Sequence, residues 1–434
     1  MTGVAGRELP YPATGTAWRV VVLLLLAYIV AVMDRQILSL MVQPIRRDLG
    51  ITDTQVSLLH GFAFVITFTA LGLFFGRVAD RGNRRNLIII GMLIWCLATA
   101  GCGLARNFAE LFAARMAVGV GEAALSPAAY SLIADYFAPE RRGRAMGVYT
   151  MGTFVGSGVA MIAGALAILS TMGGSSVQVP IIGPMTNWQA AFIVVGLPGL
   201  LVVAAMLSVR EPVRRERATT GAAPSTLRFL RANIGVLSVV IAGLACNALA
   251  SFSLISWTPT VFIRLFRWEA STIGVVYGLI LAVPGAAGIM FAGWLADRMA
   301  KRDGPRPLAL ACWALALVIP TSLWVGLAVS EGVSLAALAA SSFLLAMPTG
   351  LAPLALYQLT PNEHRGQLIA IYLLAATVVG LGAGPTIVAA TNALLFADDM
   401  MIGQAMAIVT TLAAIVGFGL LALAARLTRD RRTF

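Results

Sequence analysis

Long apolar runs separated by short polar breaks recur along the whole chain. A hydrocarbon core of about 30 Å requires roughly 20 apolar residues per helix. The first run carries Asp34 and Arg35 near its middle and has no small-residue cleavage site, so it predicts a retained span rather than a cleaved leader. The pattern predicts twelve spans, which start near Trp18, Thr54, Asn86, Phe108, Gly143, Trp188, Asn233, Thr272, Pro307, Val333, Gly366 and Met401.

The composition supports a membrane protein. Hydrophobic residues make up 59% of the 434 positions and charged residues 12%, whereas soluble domains carry about 25% charged residues. The four cysteines fall inside apolar runs without metal-ligand spacing. We therefore expect packing cysteines, no metal site and no cofactor.

A basic stretch at 210–232 divides the chain into two groups of six spans, 1–209 and 233–434. Most of the 31 Lys and Arg residues fall on the side that holds both termini and this linker, which predicts that side to be cytoplasmic. The net charge of +12 then reflects topology and anionic lipid headgroups, and it predicts no nucleic-acid partner. The basic residues on the opposite side are Arg46, Arg47, Arg106, Arg264 and Arg267.

Two motifs occur once in each half. "GRVADRGNRR" at 76–85 corresponds to "GWLADRMAKR" at 293–302, and "PERRGRAMG" at 139–147 corresponds to "PNEHRGQLIA" at 361–370. Both pairs are separated by nearly the same number of residues. This agreement indicates a duplicated chain, as in many secondary transporters.

These residues resemble the major facilitator superfamily of secondary transporters. Its signature after the second helix is met at Gly76, Asp80, Arg81, Arg84 and Arg85, with Asn83 where the family usually has Gly. Its fourth-helix signature is met at Arg115, Gly119 and Gly121. Asp-Arg in helix one together with Gly-Glu-Ala in helix four is similar to the spinster branch, which is linked to lysolipid and sphingosine-phosphate export. The resemblance implies an all-α fold of two pseudo-symmetric six-helix bundles with both termini cytoplasmic.

The resemblance also implies a cytoplasmic latch that closes this side in the outward-open state. Positive-inside anchoring is the simpler alternative, but an acid is kept in both repeats among residues that are otherwise basic. The residues carried over to the latch are Gly76, Asp80, Arg81, Arg85, Asp297 and Arg298.

Four charges lie deep within the predicted spans, at Asp34, Arg35, Arg115 and Glu122. An isolated charge at the bilayer centre costs about 2.5 to 3.5 kcal/mol on insertion scales, so we expect two neutral pairs. Counting from the outer surface places Asp34 near Arg115, and Arg35 leans toward Glu122. We expect these two contacts to be interchangeable as the cavity opens or closes.

Glu122, together with Asp34, is the candidate proton carrier, and Arg35 and Arg115 are its ion-pair partners. Burial favours the neutral form of a carboxylate and a nearby arginine favours the charged form, so moving the arginine can drive proton uptake and release. The alternative is a static cluster that packs helices one and four. Because buried pairs stabilise less well than apolar residues, we favour coupling.

The C-terminal spans carry no such charges. In this superfamily spans one, four, seven and ten line the central cavity, so Tyr130, Asn247, Ser251, Trp257 and Tyr357 are candidate substrate contacts. One charged and one apolar wall suit an amphipathic organic anion or lysolipid, and equally a lipophilic drug or aromatic acid. Bends are expected at 256–260, 281–288, 347–353 and 380–385, where Pro and Gly interrupt spans.

The function predicted from the sequence is a monomeric, proton-coupled secondary transporter of the cytoplasmic membrane that works by alternating access. An uncoupled facilitator and a proton-driven multidrug or organic-acid exporter are alternatives within the same class. A membrane lipid enzyme is the alternative from another class. It is disfavoured because His60 and His364 lie in different halves, each without a nucleophile or metal set beside it.

Overall fold

The computed structural model describes residues 11–171, 177–179, 183–214, 226–300, 307–328, 330–360 and 365–429. Twelve helical spans in this part of the chain are long and apolar enough to cross a membrane. They are numbered here along the chain: Thr14–Leu40, Asp53–Ala79, Arg84–Cys102, Phe108–Tyr136, Arg144–Leu166, Asn187–Met206, Arg228–Leu265, Ala270–Ala296, Pro307–Leu327, Glu331–Gln358, Gln367–Leu395 and Asp399–Thr428.

The predicted number of spans is confirmed, and the predicted starts are close. The largest difference is at span 7, predicted from Asn233 and observed from Arg228. Helices dominate because every backbone polar group inside a bilayer must be satisfied within its own segment. Several spans begin at a side-chain cap: Asn83 accepts from the backbone NH of Asn86, and Thr52 and Gln55 form a capping box.

The N-terminal half consists of α1 (Thr14–Leu40), α2 (Val42–Leu49), α3 (Asp53–His60), α4 (Phe62–Arg81), α5 (Arg84–Cys102), α6 (Phe108–Glu122), α7 (Leu125–Tyr136), α8 (Pro139–Thr171), the antiparallel strands β1 (Val177–Val179) and β2 (Gly183–Met185), α9 (Asn187–Gly196) and α10 (Pro198–Met206). The C-terminal half consists of α11 (Thr226–Leu265), α12 (Ala270–Ile280), α13 (Ala286–Ala300), α14 (Pro307–Leu327), α15 (Glu331–Gln358), α16 (Arg365–Ala376), α17 (Gly384–Leu395) and α18 (Ile402–Arg429).

Helix α11 begins at Thr226, inside the segment that the sequence analysis treated as a linker to residue 232. It then continues to Leu265 through Pro259 without a break. Residues 215–225 of the predicted linker lie outside the described part of the chain. The second half therefore starts as a helix before its apolar stretch begins.

Two of the four predicted bends form π-helical turns. Leu281–Gly285 joins α12 to α13 in span 8, and Thr377–Ala383 joins α16 to α17 in span 11. Such turns absorb an extra residue and often mark functional positions. The segments around Pro259 and Pro348 instead stay α-helical.

The halves meet toward the membrane face opposite the termini, called the far face below. Span 5 packs on span 8 so closely that a Cβ atom at Gly158 would lie 2.5 Å from the carbonyl oxygen of Gly278. Span 2 packs on span 11 in the same way, and a Cβ atom at Gly61 would lie 2.5 Å from the carbonyl oxygen of Gly382. Among the described residues, the ion pairs that join the halves also lie at the far face, at Arg46, Asp53, Arg264 and Asp399.

We expect Gly158→Ala to weaken the seam between spans 5 and 8, because the added methyl group meets backbone rather than a flexible side chain. Overpacking of this kind costs about 1 to 3 kcal/mol, measured as lower thermal stability in detergent. The matched control is Gly101→Ala, where no atom lies within 4 Å of the new methyl group. Equal stability of the two variants would contradict close packing of the halves at this seam.

Candidate functional site: a buried cluster of four charges

Close helix packing brings Asp34, Arg35, Arg115 and Glu122, called the buried charge cluster, into one region of the N-terminal half. In span 4 a Cβ atom at Gly121 would lie 2.5 Å from the carbonyl oxygen of Gly91 in span 3. The fourth-helix signature therefore has a packing role, because glycine lets backbones approach closely.

The predicted contact between Arg35 and Glu122 is present. Arg35 Nε lies 3.3 Å from Glu122 Oε2 and also donates to the carbonyl oxygen of Ala31 at 3.2 Å. The Arg35 guanidinium lies 5.4 Å from the centre of the Phe64 ring, a cation–π distance. The Arg35 side chain is 19% exposed, whereas that of Glu122 is 2% exposed. Arg35 is therefore the more accessible member of this pair.

The predicted contact between Asp34 and Arg115 is present, but it does not use the Asp34 carboxylate. Arg115 Nη1 donates instead to the backbone carbonyl of Asp34 at 3.1 Å, and Arg115 Nε donates to the carbonyl of Leu59 at 3.4 Å. The carboxylate Oδ2 of Asp34 accepts from Thr99 Oγ1 at 2.9 Å. Thr99 in span 3 was not among the predicted site residues, and its hydroxyl occupies the place that the sequence analysis gave to Arg115.

Several polar atoms of the buried charge cluster have no hydrogen-bond partner among the described residues. They are Asp34 Oδ1, Glu122 Oε1 and Arg115 Nη2. Both Asp34 and Arg115 are 0% exposed. Unsatisfied buried polar atoms cost free energy, so this arrangement can gain hydrogen bonds by rearranging.

Glu122 occupies the last position of α6, directly before a break in span 4. Ala123 and Ala124 form a turn, and α7 begins at Leu125 with Pro127 in its first turn. A helix C-terminus carries partial negative charge, so a cation is favoured near this position. The Arg35 guanidinium, 3.3 Å from Glu122 Oε2, supplies that cation.

Three tyrosines form a cluster beside the Arg35–Glu122 pair. The rings of Tyr28 and Tyr130 each lie 5.2 Å from the ring of Tyr149. Tyr28 OH lies 3.3 Å from Thr153 Oγ1. Tyr28 precedes Arg35 by two helical turns on the same face of span 1, a spacing that was visible in the sequence but was not used.

The other predicted cavity residues lie in the C-terminal half. Asn247 donates to the carbonyl of Leu345, Ser251 donates to the carbonyl of Asn247, and Trp257 donates to the carbonyl of Pro385. Asn247 and Trp257 are buried, whereas Tyr357 is exposed. Their role in substrate binding stays a prediction.

Two of the predicted latch residues, Arg85 and Arg298, contact residues on the N-terminal and C-terminal side of the linker respectively. Arg85 Nη2 donates to the carbonyl of Leu207 at 2.5 Å, and its backbone NH donates to Glu211 at 3.0 Å. Arg298 lies 5.3 Å from the centre of the Trp294 ring. Arg81 is exposed, and no heavy atom lies within 4 Å of a Cβ atom built at Gly76. The side chains of Asp80 and Asp297 lie outside the described part, so the latch stays a prediction.

Two six-span bundles, with paired charges buried in one of them, define a multi-pass membrane protein of the secondary-transporter class. The chain belongs to the Major Facilitator Superfamily, whose sequence profile matches residues 24–385. It is a transporter rather than an enzyme, and within the superfamily it is similar to the spinster branch.

Two relatives illustrate this similarity. An MFS-type efflux pump of Mycolicibacterium smegmatis is 28% identical over 92% of this chain and 91% of its own length. Protein spinster homolog 1 of Rattus norvegicus is 29% identical over 73% of this chain, and the match spans 61% of that protein.

Solved structures share the fold over nearly the whole chain. A bacterial homolog of the human lysosomal transporter Spinster, in an inward-facing and unoccupied conformation, superposes with a TM-score of 0.79 at 24% identity over 96% of both chains. The D-xylose-proton symporter superposes with a TM-score of 0.70 at 17% identity over 92% of this chain and 97% of its own. Both likenesses concern the fold.

We expect Arg35→Gln to destabilise the protein at neutral pH, because it leaves the Glu122 carboxylate buried without its cation. Removing one partner of a buried pair costs about 3 to 5 kcal/mol. The deficit should shrink as the pH falls and Glu122 becomes protonated. Thermal unfolding in detergent at pH 8 and pH 5 measures both effects.

The double variant Arg35→Gln/Glu122→Gln supplies the control, since neither charge remains. It should be more stable at pH 8 than Arg35→Gln alone. Additive losses from the two substitutions would show that the two side chains do not act as a pair.

Proposed function

We propose that this protein is a proton-coupled secondary transporter that works by alternating access and moves an amphipathic organic anion or lysolipid. The observation that carries the proposal is the contact between Arg35 and Glu122, a partly exposed cation paired with a buried acid beside an unsatisfied carboxylate oxygen. Its setting is a fold shared with secondary transporters.

Proton coupling follows from competition for Arg35. While the guanidinium stays 3.3 Å from Glu122, the charged carboxylate is favoured. When Arg35 turns toward an anion in the cavity, burial and the end of α6 favour the protonated acid. Asp34, held by Thr99 in the same region, is the second candidate carrier. Substrate binding and proton uptake are then linked through one side chain.

The substrate class follows from the surroundings of Arg35. Its guanidinium suits a phosphate or carboxylate head. The tyrosine cluster at Tyr28, Tyr130 and Tyr149 offers hydroxyl groups on apolar rings. The C-terminal spans supply a wall without charges inside the membrane. This combination favours a molecule with an anionic head and a hydrocarbon tail.

Drug or organic-acid export is the second candidate. The efflux pump of Mycolicibacterium smegmatis aligns with nearly the whole chain, and a puromycin resistance protein of Streptomyces alboniger is 37% identical over 34% of it. The same Arg35–Glu122 pair would serve such an exporter. For either cargo we infer a monomer in the cytoplasmic membrane. The arginine distribution favours an orientation with both termini inside.

We expect Glu122→Gln to abolish substrate-evoked proton flux. The protein is reconstituted in liposomes with a pH indicator inside, a proton gradient is imposed, and lysolipids, organic anions or lipophilic drugs are added in turn. Glu269→Gln, which removes an exposed carboxylate outside the buried charge cluster, is the matched control and should behave like wild type.

The choice of added compound separates the two cargo classes. Proton flux evoked by lipophilic drugs alone would favour the exporter. Substrate movement without proton flux, unchanged by Glu122→Gln, would overturn the coupling and leave an uncoupled facilitator.

A further inference from the structure

An ion-pair network crosses between the two halves at the far face. Asp53 is the first residue of α3, and Arg264 lies in the last turn of α11. Arg264 Nη1 and Nη2 donate to the two carboxylate oxygens of Asp53 at 2.7 Å and 2.8 Å. This bidentate geometry is the strongest form of an arginine–carboxylate pair. Both residues are buried.

A second acid and a second arginine complete the network. Arg46 Nε lies 3.1 Å from Asp53 Oδ1, and Arg46 Nη1 donates to Asp399 Oδ2 at 2.7 Å. Arg264 also donates to the backbone carbonyl of Asp399 at 3.0 Å. The amide oxygen of Gln43, when it faces Arg264, accepts from the same guanidinium. Arg46, Asp53, Arg264 and Asp399 are called the far-face cluster below.

The far-face cluster contains arginines that the topology alone does not explain. Lys and Arg are depleted on this side of the chain, and Arg46 and Arg264 are two of only five there. Apolar residues would hold the halves together at least as well as buried ion pairs do. An apolar seam, however, would expose hydrocarbon surface to water on opening, whereas a charged seam becomes hydrated.

The far-face cluster also divides evenly between the halves. Arg46 and Asp53 belong to the N-terminal half and are already 3.1 Å apart. Arg264 and Asp399 belong to the C-terminal half and already touch through the Asp399 carbonyl. If the halves separate, each retains one acid beside one arginine. Opening therefore exchanges partners and leaves no charge without a counterion.

A narrow, mostly apolar crevice lies beneath the far-face cluster, one to two helical turns along spans 2 and 7. Its walls include Ser57 and His60 of span 2 and Ser256 and Trp257 of span 7. Ser57 Oγ lies 3.3 Å from Thr386 Oγ1 in span 11, so hydroxyl groups also meet across the halves here. Leu59, whose carbonyl binds Arg115, lies between two of these wall residues along the chain. Span 2 thus contacts the far-face cluster at Asp53 and the buried charge cluster at Leu59.

We propose that the far-face cluster is the outer gate of the transport path. It is closed in this structure and opens by exchange of its ion pairs into one neutral pair per half. Arg264 is its central residue, because it contacts the carboxylate of the opposite half and the carbonyl of its own.

The gate is tested by cysteine labelling, which needs neither substrate nor a proton gradient and is therefore independent of the proposed coupling. The reporter is Ser256→Cys, buried beneath the far-face cluster, in a protein whose four native cysteines are replaced by alanine. Intact cells are treated with a membrane-impermeant maleimide. Met400→Cys, at an exposed far-face position, shows that the reagent reaches that face in every variant.

We expect Arg264→Gln to raise the labelling rate of the reporter on the order of tenfold, because removing one member of a buried charge pair strongly favours separation. Asp53→Asn keeps the shape of the side chain and should act in the same direction, which protects the test against a folding defect of one variant. The matched control is Arg267→Gln, an exposed far-face arginine outside the cluster, and it should leave the rate unchanged.

Slow labelling of the reporter in both Arg264→Gln and Asp53→Asn, with Met400→Cys still labelled, would overturn the gate. An equal rise in Arg267→Gln would overturn it as well, because general loss of positive charge would then explain the effect.

Discussion

A charge inside a bilayer must be neutralised, and the N-terminal half is organised around this requirement. Two acids and two arginines lie within spans 1 and 4, and each contacts a group on a neighbouring helix. Glu122 pairs with Arg35, and the Asp34 carboxylate accepts from Thr99. Arg115 donates to two backbone carbonyls. Gly119 and Gly121 let span 4 approach spans 2 and 3 closely. The cluster is neutral as a whole, yet it leaves one oxygen on each acid without a partner. Compensated charge with incomplete hydrogen bonding is a state that can be rearranged at low cost.

The protein contains a second neutral set of four charges, and its position differs in an informative way. The buried charge cluster lies wholly within the N-terminal half, whereas the far-face cluster spans both halves. The proposed function assigns proton and anion binding to the first. The second can respond only to separation of the halves. Span 2 contacts both clusters, at Asp53 and at Leu59. The proposed proton switch and the proposed gate would therefore share one helix, and the halves are closed at the far face.

Sequence patterns predicted the features that depend on a single helix or on one pair of helices. The apolar runs located all twelve spans, and the direction in which side chains lean along a helix predicted the contact between Arg35 and Glu122. Contacts that depend on a third helix were missed. The Asp34 carboxylate accepts from Thr99 rather than pairing with Arg115. The sequence did not indicate this contact, because span 3 has no charged residue near Thr99. Arg46 and Arg264 were visible in the sequence as exceptions to the positive-inside rule. Their partners Asp53 and Asp399 occupy cap and loop positions where acids are common, so the sequence did not indicate the ion pairs. Likewise, Pro and Gly predicted bends at four places, and among the described residues π-helical turns occur at two of them, in spans 8 and 11.

The proposed function requires that protonation within the buried charge cluster change which face of the protein is open. Pulsed EPR distances across the far face measure this change, with spin labels at the exposed positions Arg47 and Leu395, one in each half of a cysteine-free protein. We expect the distance distribution of the wild type to change between pH 8 and pH 5, and Glu122→Gln to show the low-pH distribution at both values. A distribution that does not depend on pH, or a Glu122→Gln variant that still responds to pH as the wild type does, would overturn the proposed coupling.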